Sequence, residues 1–183
     1  MATSIAETSL TIEDVRIVVD SGFARRARFD PGSGMSRLVT EKITKAEAVQ
    51  RMGRAGRVTE GVCYKLWTKG EEGGFQAFVP PAILVSDLSP LVMELAAWGS
   101  NNPKKLPFLT QPRSTDFKYA QNLLKDLGAL NTSGQITKLG QEIAREPTHP
   151  RLARVLLEGN HNTRLAVALI ESRDILMRPA PAD

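Results

Sequence analysis

Residues Gln50 to Arg57 read Gln-Arg-Met-Gly-Arg-Ala-Gly-Arg. If a single helix carries them, Gln50, Arg54 and Arg57 fall at i, i+4 and i+7 and share a face, while Arg51 points elsewhere. Two guanidiniums one turn apart, with glycines between them, let a triphosphate approach closely. Arginine keeps its charge and offers forked donors that match phosphate oxygens. Charge developing on a transferring phosphoryl group needs such donors, and an arginine supplied this way is worth roughly 10³–10⁵ in rate. A neutral glutamine beside the pair can orient water or accept from it. The competing reading, a basic helix end in solvent, suits a random pair of arginines better than it suits this pattern.

Several elements must position those side chains. Thr44 caps the helix and Glu47, three residues on, completes a capping box. The helix runs through Ala46, Ala48, Val49 and Met52 until Gly53 and Gly56 weaken it. Upstream, Val15 to Asp20 is an apolar run that reads as a buried strand. Phe23–Asp30 and Met35–Ile43 flank a turn at Asp30 to Gly34 and form a long, arginine-bearing hairpin. Val62 to Trp67 is strand-like, and the polar, glycine-rich stretch Thr68 to Gly74 marks a domain boundary.

Beyond that boundary the pattern turns helical. Ser89 reads as an N-cap with Pro90 at the first helical position, followed by an apolar stripe of Leu88, Val92, Leu95 and Ala96. A loop with Pro103, Pro107 and Pro112 leads to a helix carrying Phe117, Ala120, Leu124 and Leu127. Ala129–Asn131 and Gln135–Thr137 surround Thr132-Ser133-Gly134 as a small β-wing. Thr137 caps a helix bearing Leu139 and Ile143, and Pro150 opens another with Leu152, Val155 and Leu156. A last helix is expected over Leu165–Ile175. The order helix, helix, wing, helix predicts a winged-helix unit.

Composition narrows the function classes. The chain has 183 residues, one domain on a prior of about 150 residues, with room for a second small one. Its 42% hydrophobic and 24% charged residues exclude a disordered chain, a fibrous repeat and a disulfide scaffold. The single cysteine, Cys63, excludes an internal bridge and a cysteine-based metal cluster and points to a reducing compartment. It reads as a buried thiol. No apolar run approaches the roughly 20 residues of a membrane span, and the start is too polar for a signal peptide. The expected location is cytoplasmic, with no membrane partner. His149 and His161, each at a helix start, have no acidic or cysteine partners in sequence, so no metal site is predicted. Trp67 and Trp98 read as packing residues. The 24 Lys/Arg and 20 Asp/Glu are unevenly spread: between Arg16 and Arg57 there are ten against four, while from Glu71 onward they balance. A local basic field of that kind suits a polyanion.

At this point the chain resembles a known family. QRMGRAGR is similar to motif VI of superfamily 2 helicases in the form typical of DEAH-box (RHA-type) enzymes, and ATSIAETSLTI (Ala2–Ile12) resembles their motif V. The separation of the two motifs also resembles the family's. FVPPAILVSDLSPLVMELAAWG resembles the approach to the family's winged helix, LLKDLGALNTSGQITKLGQEIA the winged helix itself, and PTHPRLARVLLEG the start of its helical ratchet region. LAAWG and NPKKLPFLTQP resemble bacterial HrpB-type members.

The resemblance implies a mixed α/β and then mainly α architecture: the C-terminal part of a RecA-like helicase domain with a long β-hairpin, then a winged helix, then the start of a ratchet-like domain. It places these in residues 1–70, 88–147 and 148–183, with 71–87 as a linker. The implied activity is ATP-dependent nucleic-acid unwinding, with RNA or DNA as partner and ATP with Mg²⁺ as cofactor. Arg54 and Arg57 match the arginine fingers, and Gln50 the residue beside the γ-phosphate and attacking water. Ser9 and Thr11 match positions that sense the nucleotide, and Glu13 stands where the family has an Asp near the ribose. Thr3 matches a contact to the nucleic-acid backbone, and Ser4 replaces a frequent Asn there. The hairpin matches a strand-separating element, on which charge alone points to Arg25, Arg26, Arg28 and Arg37 as phosphate contacts.

No G-x-x-x-x-G-K-[ST] loop and no Asp-Glu-x-His box occurs in these residues. The family keeps both in a preceding RecA-like domain, so the chain is expected to be a fragment that needs that domain and self-associates through an exposed sheet edge. Two non-enzymatic alternatives stand beside this reading. One is a winged-helix nucleic-acid binder acting through Lys138 and Arg145; the other is a fragment whose basic hairpin contacts RNA.

Overall fold

The computed structural model describes residues 15–172. They form seven α-helices and two small sheets in two compact units that meet between Ser86 and Asp87. In the first unit, β1 (Ile17–Asp20) pairs in parallel with β4 (Val62–Lys65), Ile17 beside Val62 and Asp20 beside Lys65. β2 (Phe23–Asp30) and β3 (Met35–Lys42) make the antiparallel hairpin, with Phe23 opposite Lys42 and Arg28 opposite Arg37. Asp30 shapes its tip by accepting from the Gly32 N–H at 3.0 Å and the Ser33 hydroxyl at 2.8 Å. At its root, the Ile43 N–H donates to the Gly22 carbonyl at 3.0 Å. Gly22 has φ +76°, and a Cβ there would lie 2.9 Å from the Trp67 ring.

Helix α1 (Lys45–Met52) starts with the expected capping box of Thr44 and Glu47. Its first free N–H groups, those of Lys45 and Ala46, donate to the Gln76 and Ala77 carbonyls at 2.8 and 3.1 Å. The core beneath is Ile43, Ala48 and Phe75, with Ala24 and Trp67 packed against it. Trp67 meets Phe75 with ring centroids 5.5 Å apart.

Two local expectations are corrected here. β1 is not a buried strand: Ile17 and Val19, with Val62 and Tyr64 beside them, are more than half exposed. These four share one face of the two-stranded sheet, and α1 lies against β1 without covering them. Along α1, Ala48 is the buried side chain, whereas Val49 and Met52 face solvent. The stretch 71–87 is not a linker. A short helix α2 (Lys69–Gly73), capped by Thr68 and Glu71, turns the chain so that Phe75 enters the core. The division falls at Ser86 because the apolar Phe75 outweighs the polar residues around it.

The second unit holds α3 (Ser89–Ala97), α4 (Ser114–Asp126), α5 (Lys138–Arg145), α6 (Pro150–Glu158) and α7 (His161–Glu171). Val92, Leu95, Ala96, Phe117, Ala120, Leu124 and Ile143 are buried as their spacing predicts, and α3 packs on α4, α5 and α6. Between α4 and α5 the wing is reduced to one antiparallel bridge, Leu130 with Ile136. Thr137 caps α5 by accepting from the Gly140 N–H at 3.0 Å. Ser89 is inside α3 rather than its cap: Asp87 accepts from its N–H at 2.8 Å and its hydroxyl at 2.7 Å.

His149 caps α6 by accepting from the Arg151 N–H on Nδ1, so its Nε2 donates to Asp87 at 2.8 Å. Burial opposes ionisation of Asp87, yet the hydrogen bonds from His149 and Ser89 hold its carboxyl below the ordinary range. On α6 Pro150 and Ala153 are buried, while Val155 is exposed. Trp98 is also corrected: it stands 78% exposed at the end of α3, because the helix stops there and Gly99, at φ +79°, turns the chain away.

Candidate functional site

The octet Gln50 to Arg57 does not lie on one helix. α1 ends at Met52, and Gly53 caps it by donating to the Val49 carbonyl at 2.9 Å. The chain then folds into a tight turn, in which Arg54 N–H donates to the Arg51 carbonyl and Ala55 N–H to the Met52 carbonyl, both at 3.1 Å. Gln50 is exposed on the last turn of α1, Arg54 is half-buried, and Arg57 is exposed beyond the turn. The expected shared helical face is therefore replaced by a helix end and the turn that follows it. The reason is the pair Gly53 and Gly56, which cost helix propensity where nothing repays it.

Packing holds this turn in place. Ala55 is buried, and Gly61 lies hard against it: a Cβ on Gly61 would sit 1.9 Å from the Ala55 carbonyl oxygen and 2.8 Å from that of Arg16. The turn that carries Arg54 and leads into Arg57 thus rests directly on the start of β4.

Arg51, which the spacing argument leaves aside, is the anchor of the site. Its Nη1 donates to Asp20 Oδ1 at 2.9 Å and to the Phe23 carbonyl at 3.1 Å. Asp20 is buried, and Oδ1 also accepts from the Gly22 N–H at 3.0 Å. Its Oδ2 is buried without a hydrogen bond, so the cation of Arg51 carries most of the compensation for this carboxylate. The signal in the sequence was Asp20 itself: an acid closing an apolar run demands a buried cation.

The hairpin arginines separate by face. Arg26 and Arg28 lie on the face toward α1 and are committed internally. Arg28 grips Glu41 with two parallel hydrogen bonds, at 2.7 and 2.6 Å, and Arg26 reaches both Glu41 and Glu47. Arg25 is exposed on the opposite face, in register with Thr40 and two residues from Phe23, whose ring lies 4.4 Å below the Lys42 ammonium. Arg37 is exposed and pairs loosely with Asp30 at 3.6 Å. Thr3, Ser4, Ser9, Thr11 and Glu13 lie outside the described residues.

The hydrogen bond from Arg28 first, and its charge and that of Arg26 with it, hold the Glu41 carboxyl below its ordinary value of 4.5, against desolvation. A carboxylate with a depressed folded pKa contributes stability that is complete above the unfolded value and is lost as the pH falls through the folded one. Hydrogen-exchange protection of β2 and β3 is therefore expected to decline below about pH 4.5, and Glu41→Gln is expected to lessen that decline, the remainder coming from Asp30 and Glu47, whose carboxyls are also held low. Equal acid sensitivity in the two proteins would contradict the assignment.

Burial, and then the charge of Asp20, raise the thiol pKa of Cys63, which is half-buried rather than fully enclosed. Among the described residues no three His, Cys, Asp or Glu side chains converge to hold a metal ion, and no helix is long and apolar enough to cross a membrane. Helix α5 carries Lys138 and Arg145, both exposed, with exposed Glu142 between them.

Known proteins are similar to most of this chain. Residues 120–145 match the helicase-associated (HA2) winged-helix domain. The chain is a segment of DEAH/RHA helicase type. It is 42% identical over 168 residues to the ATP-dependent RNA helicase HrpB of Escherichia coli, covering 92% of this chain and 21% of that protein. It is 35% identical to E. coli HrpA over 93% of this chain and 14% of the relative. To the human probable ATP-dependent RNA helicase DHX34 it is 34% identical, over 87% of this chain and 14% of that protein. A crystal structure of the E. coli DExH-box NTPase HrpB superposes on 96% of this chain, and on 22% of its own, with a TM-score of 0.86 at 39% identity. The chain thus spans about a fifth of the length of HrpB.

Proposed function

We propose that this segment supplies the arginine-finger side of the nucleotide cleft of an ATP-dependent RNA helicase. Residues up to Ser86 are then the closing part of a RecA-like domain, Asp87 to about residue 147 a winged helix, and the remainder the start of a ratchet-like domain. The observation that carries this reading is the Arg54–Arg57 turn, seated on Gly61 and fixed behind by Arg51. Such a turn fixes the backbone that carries both arginines, and charge held in place beforehand is the condition for stabilising a phosphoryl transfer.

The donor set fits the triphosphate of ATP: two cations and one amide suit phosphate oxygens. It does not supply the carboxylates that Mg²⁺ needs, so the metal belongs with the preceding domain. Bound there, ATP·Mg²⁺ would supply the reactive γ-phosphate and the water that attacks it. Arg54 and Arg57 would then neutralise developing charge, and Gln50 would orient the water. Ser9, Thr11 and Glu13 would contact the nucleotide, and Thr3 the RNA backbone. On the hairpin, the exposed Arg25 and Arg37 would meet RNA phosphates, whereas Arg26 and Arg28 are engaged with Glu41 and Glu47.

A division of labour between domains is directly testable. The isolated 183-residue chain is expected to give no ATP turnover above background with RNA and Mg²⁺ present. The complete helicase containing it is expected to hydrolyse ATP and to separate an RNA duplex. Turnover by the isolated chain that survives repurification would refute the assignment.

A further inference from the structure

Helix α1 is tied to the hairpin at both of its ends. Near its start, Glu47 accepts from Nη2 of Arg26 on β2, and the same carboxylate closes the capping box by accepting from the Thr44 N–H at 2.7 Å. Near its end, Nη1 of Arg51 bridges Asp20 and the carbonyl of Phe23, the first residue of the hairpin. Glu47 and Arg51 are four residues apart in sequence, so both reach out from one side of the helix. The side chains are sheltered: exposure is 13% for Arg26, 12% for Glu47, 18% for Arg51 and 2% for Asp20. Breaking such a pair strands a charge in a poorly solvated place, so the ties persist when helix and hairpin are displaced together.

The second tie also touches the finger turn. The Arg51 side chain holds the hairpin root, while its carbonyl accepts from the Arg54 N–H at 3.1 Å. Asp20 is itself fixed, since it ends a strand paired with β4 and its Oδ1 accepts from Gly22. Any shift of Arg54 therefore reaches Phe23 through one residue.

We propose that α1 is a rigid link that transmits displacement of the Arg54–Arg57 turn to the hairpin, with Asp20, Arg26, Glu47 and Arg51 as its positioning residues. This rests on reading that turn as nucleotide-facing. The link makes strand separation follow ATP hydrolysis; without it, the fingers still serve hydrolysis but the hairpin root no longer follows them.

The test uses the complete helicase with Glu47→Gln, with Asp20→Asn, and with both. Glutamine still serves a capping box, and asparagine keeps an acceptor for Gly22, so each change keeps those local hydrogen bonds while depriving the facing arginine of an anion. ATP hydrolysed at saturating RNA and base pairs separated from a tailed RNA duplex are measured in one mixture. Glu47→Gln is expected to keep kcat and KM for ATP within about threefold, yet to separate about tenfold fewer base pairs per ATP; Asp20→Asn, which also loosens the Arg51 anchor of the turn, and the double variant are expected to separate fewer still per ATP. A merely structural role shrinks the folded fraction and lowers both rates in proportion. Proportional loss, or an unchanged ratio, overturns the link. A wild-type protein whose hydrolysis ignores RNA overturns the motor reading as well, and is distinguished by needing no variant.

Discussion

Arg54→Ala and Arg57→Ala, each made in the complete helicase, are expected to lower ATP turnover at saturating RNA by about 10³-fold or more. The loss belongs in kcat, because the fingers act on charge that develops only in the transition state; KM for ATP should move far less. Lysine is expected to rescue little at either position, since an ammonium cannot reproduce the planar fork that meets two phosphate oxygens. RNA affinity should stay within a fewfold of wild type, because neither residue lies on the hairpin. Steady-state ATP hydrolysis with a parallel RNA-binding titration decides the matter. If both alanine variants retained more than a tenth of wild-type turnover, the turn would not be a pair of fingers.

Gly61→Ala is expected to be the most damaging small substitution in the first unit. The new methyl would lie 1.9 Å from the Ala55 carbonyl oxygen, 2.5 Å from its carbon and 2.8 Å from the Arg16 oxygen. All three are backbone atoms, so no side chain can swing aside. Either the finger turn lifts from β4 or the parallel pairing of β1 and β4 opens. Overpacking of this kind costs about 3 kcal/mol or more, read as a fall in the denaturant midpoint at an unchanged slope. Gly56 is the internal control. A Cβ there meets nothing within 4 Å, so Gly56→Ala should stay within about 0.5 kcal/mol of wild type. Comparable losses in the two variants would mean that the close approach at Gly61 is not what holds the turn.

The features legible in the sequence are those set by near neighbours. The Thr44–Glu47 capping box, the hairpin around Asp30 to Gly34, the caps at Thr137 and His149 and the buried stripe of α4 all follow from residues within a few positions of one another. Features set by distant partners were hidden. Asp20 and Arg51 are 31 positions apart, and no local pattern pairs them. Arg26 and Arg28 looked like free cations because Glu41 and Glu47 lie on other elements. Phe75 joins the core from a stretch whose composition is otherwise that of a loop. The helix expected through the octet is too long, since the weight of Gly53 against a helical continuation depends on what the turn packs on.

The uncovered side of the β1 and β4 pair carries a wider consequence. Parallel strands normally have both sides roofed by other elements, yet Ile17, Val19, Val62 and Tyr64 meet water here. Prepared by itself, the polypeptide would carry an adhesive strip running along its smallest sheet, and its tendency to clump would rise steeply with concentration. Joined to whatever roofs those four side chains, the strip would become a seam, and the melting behaviour of the first unit would cease to be a property of these residues alone.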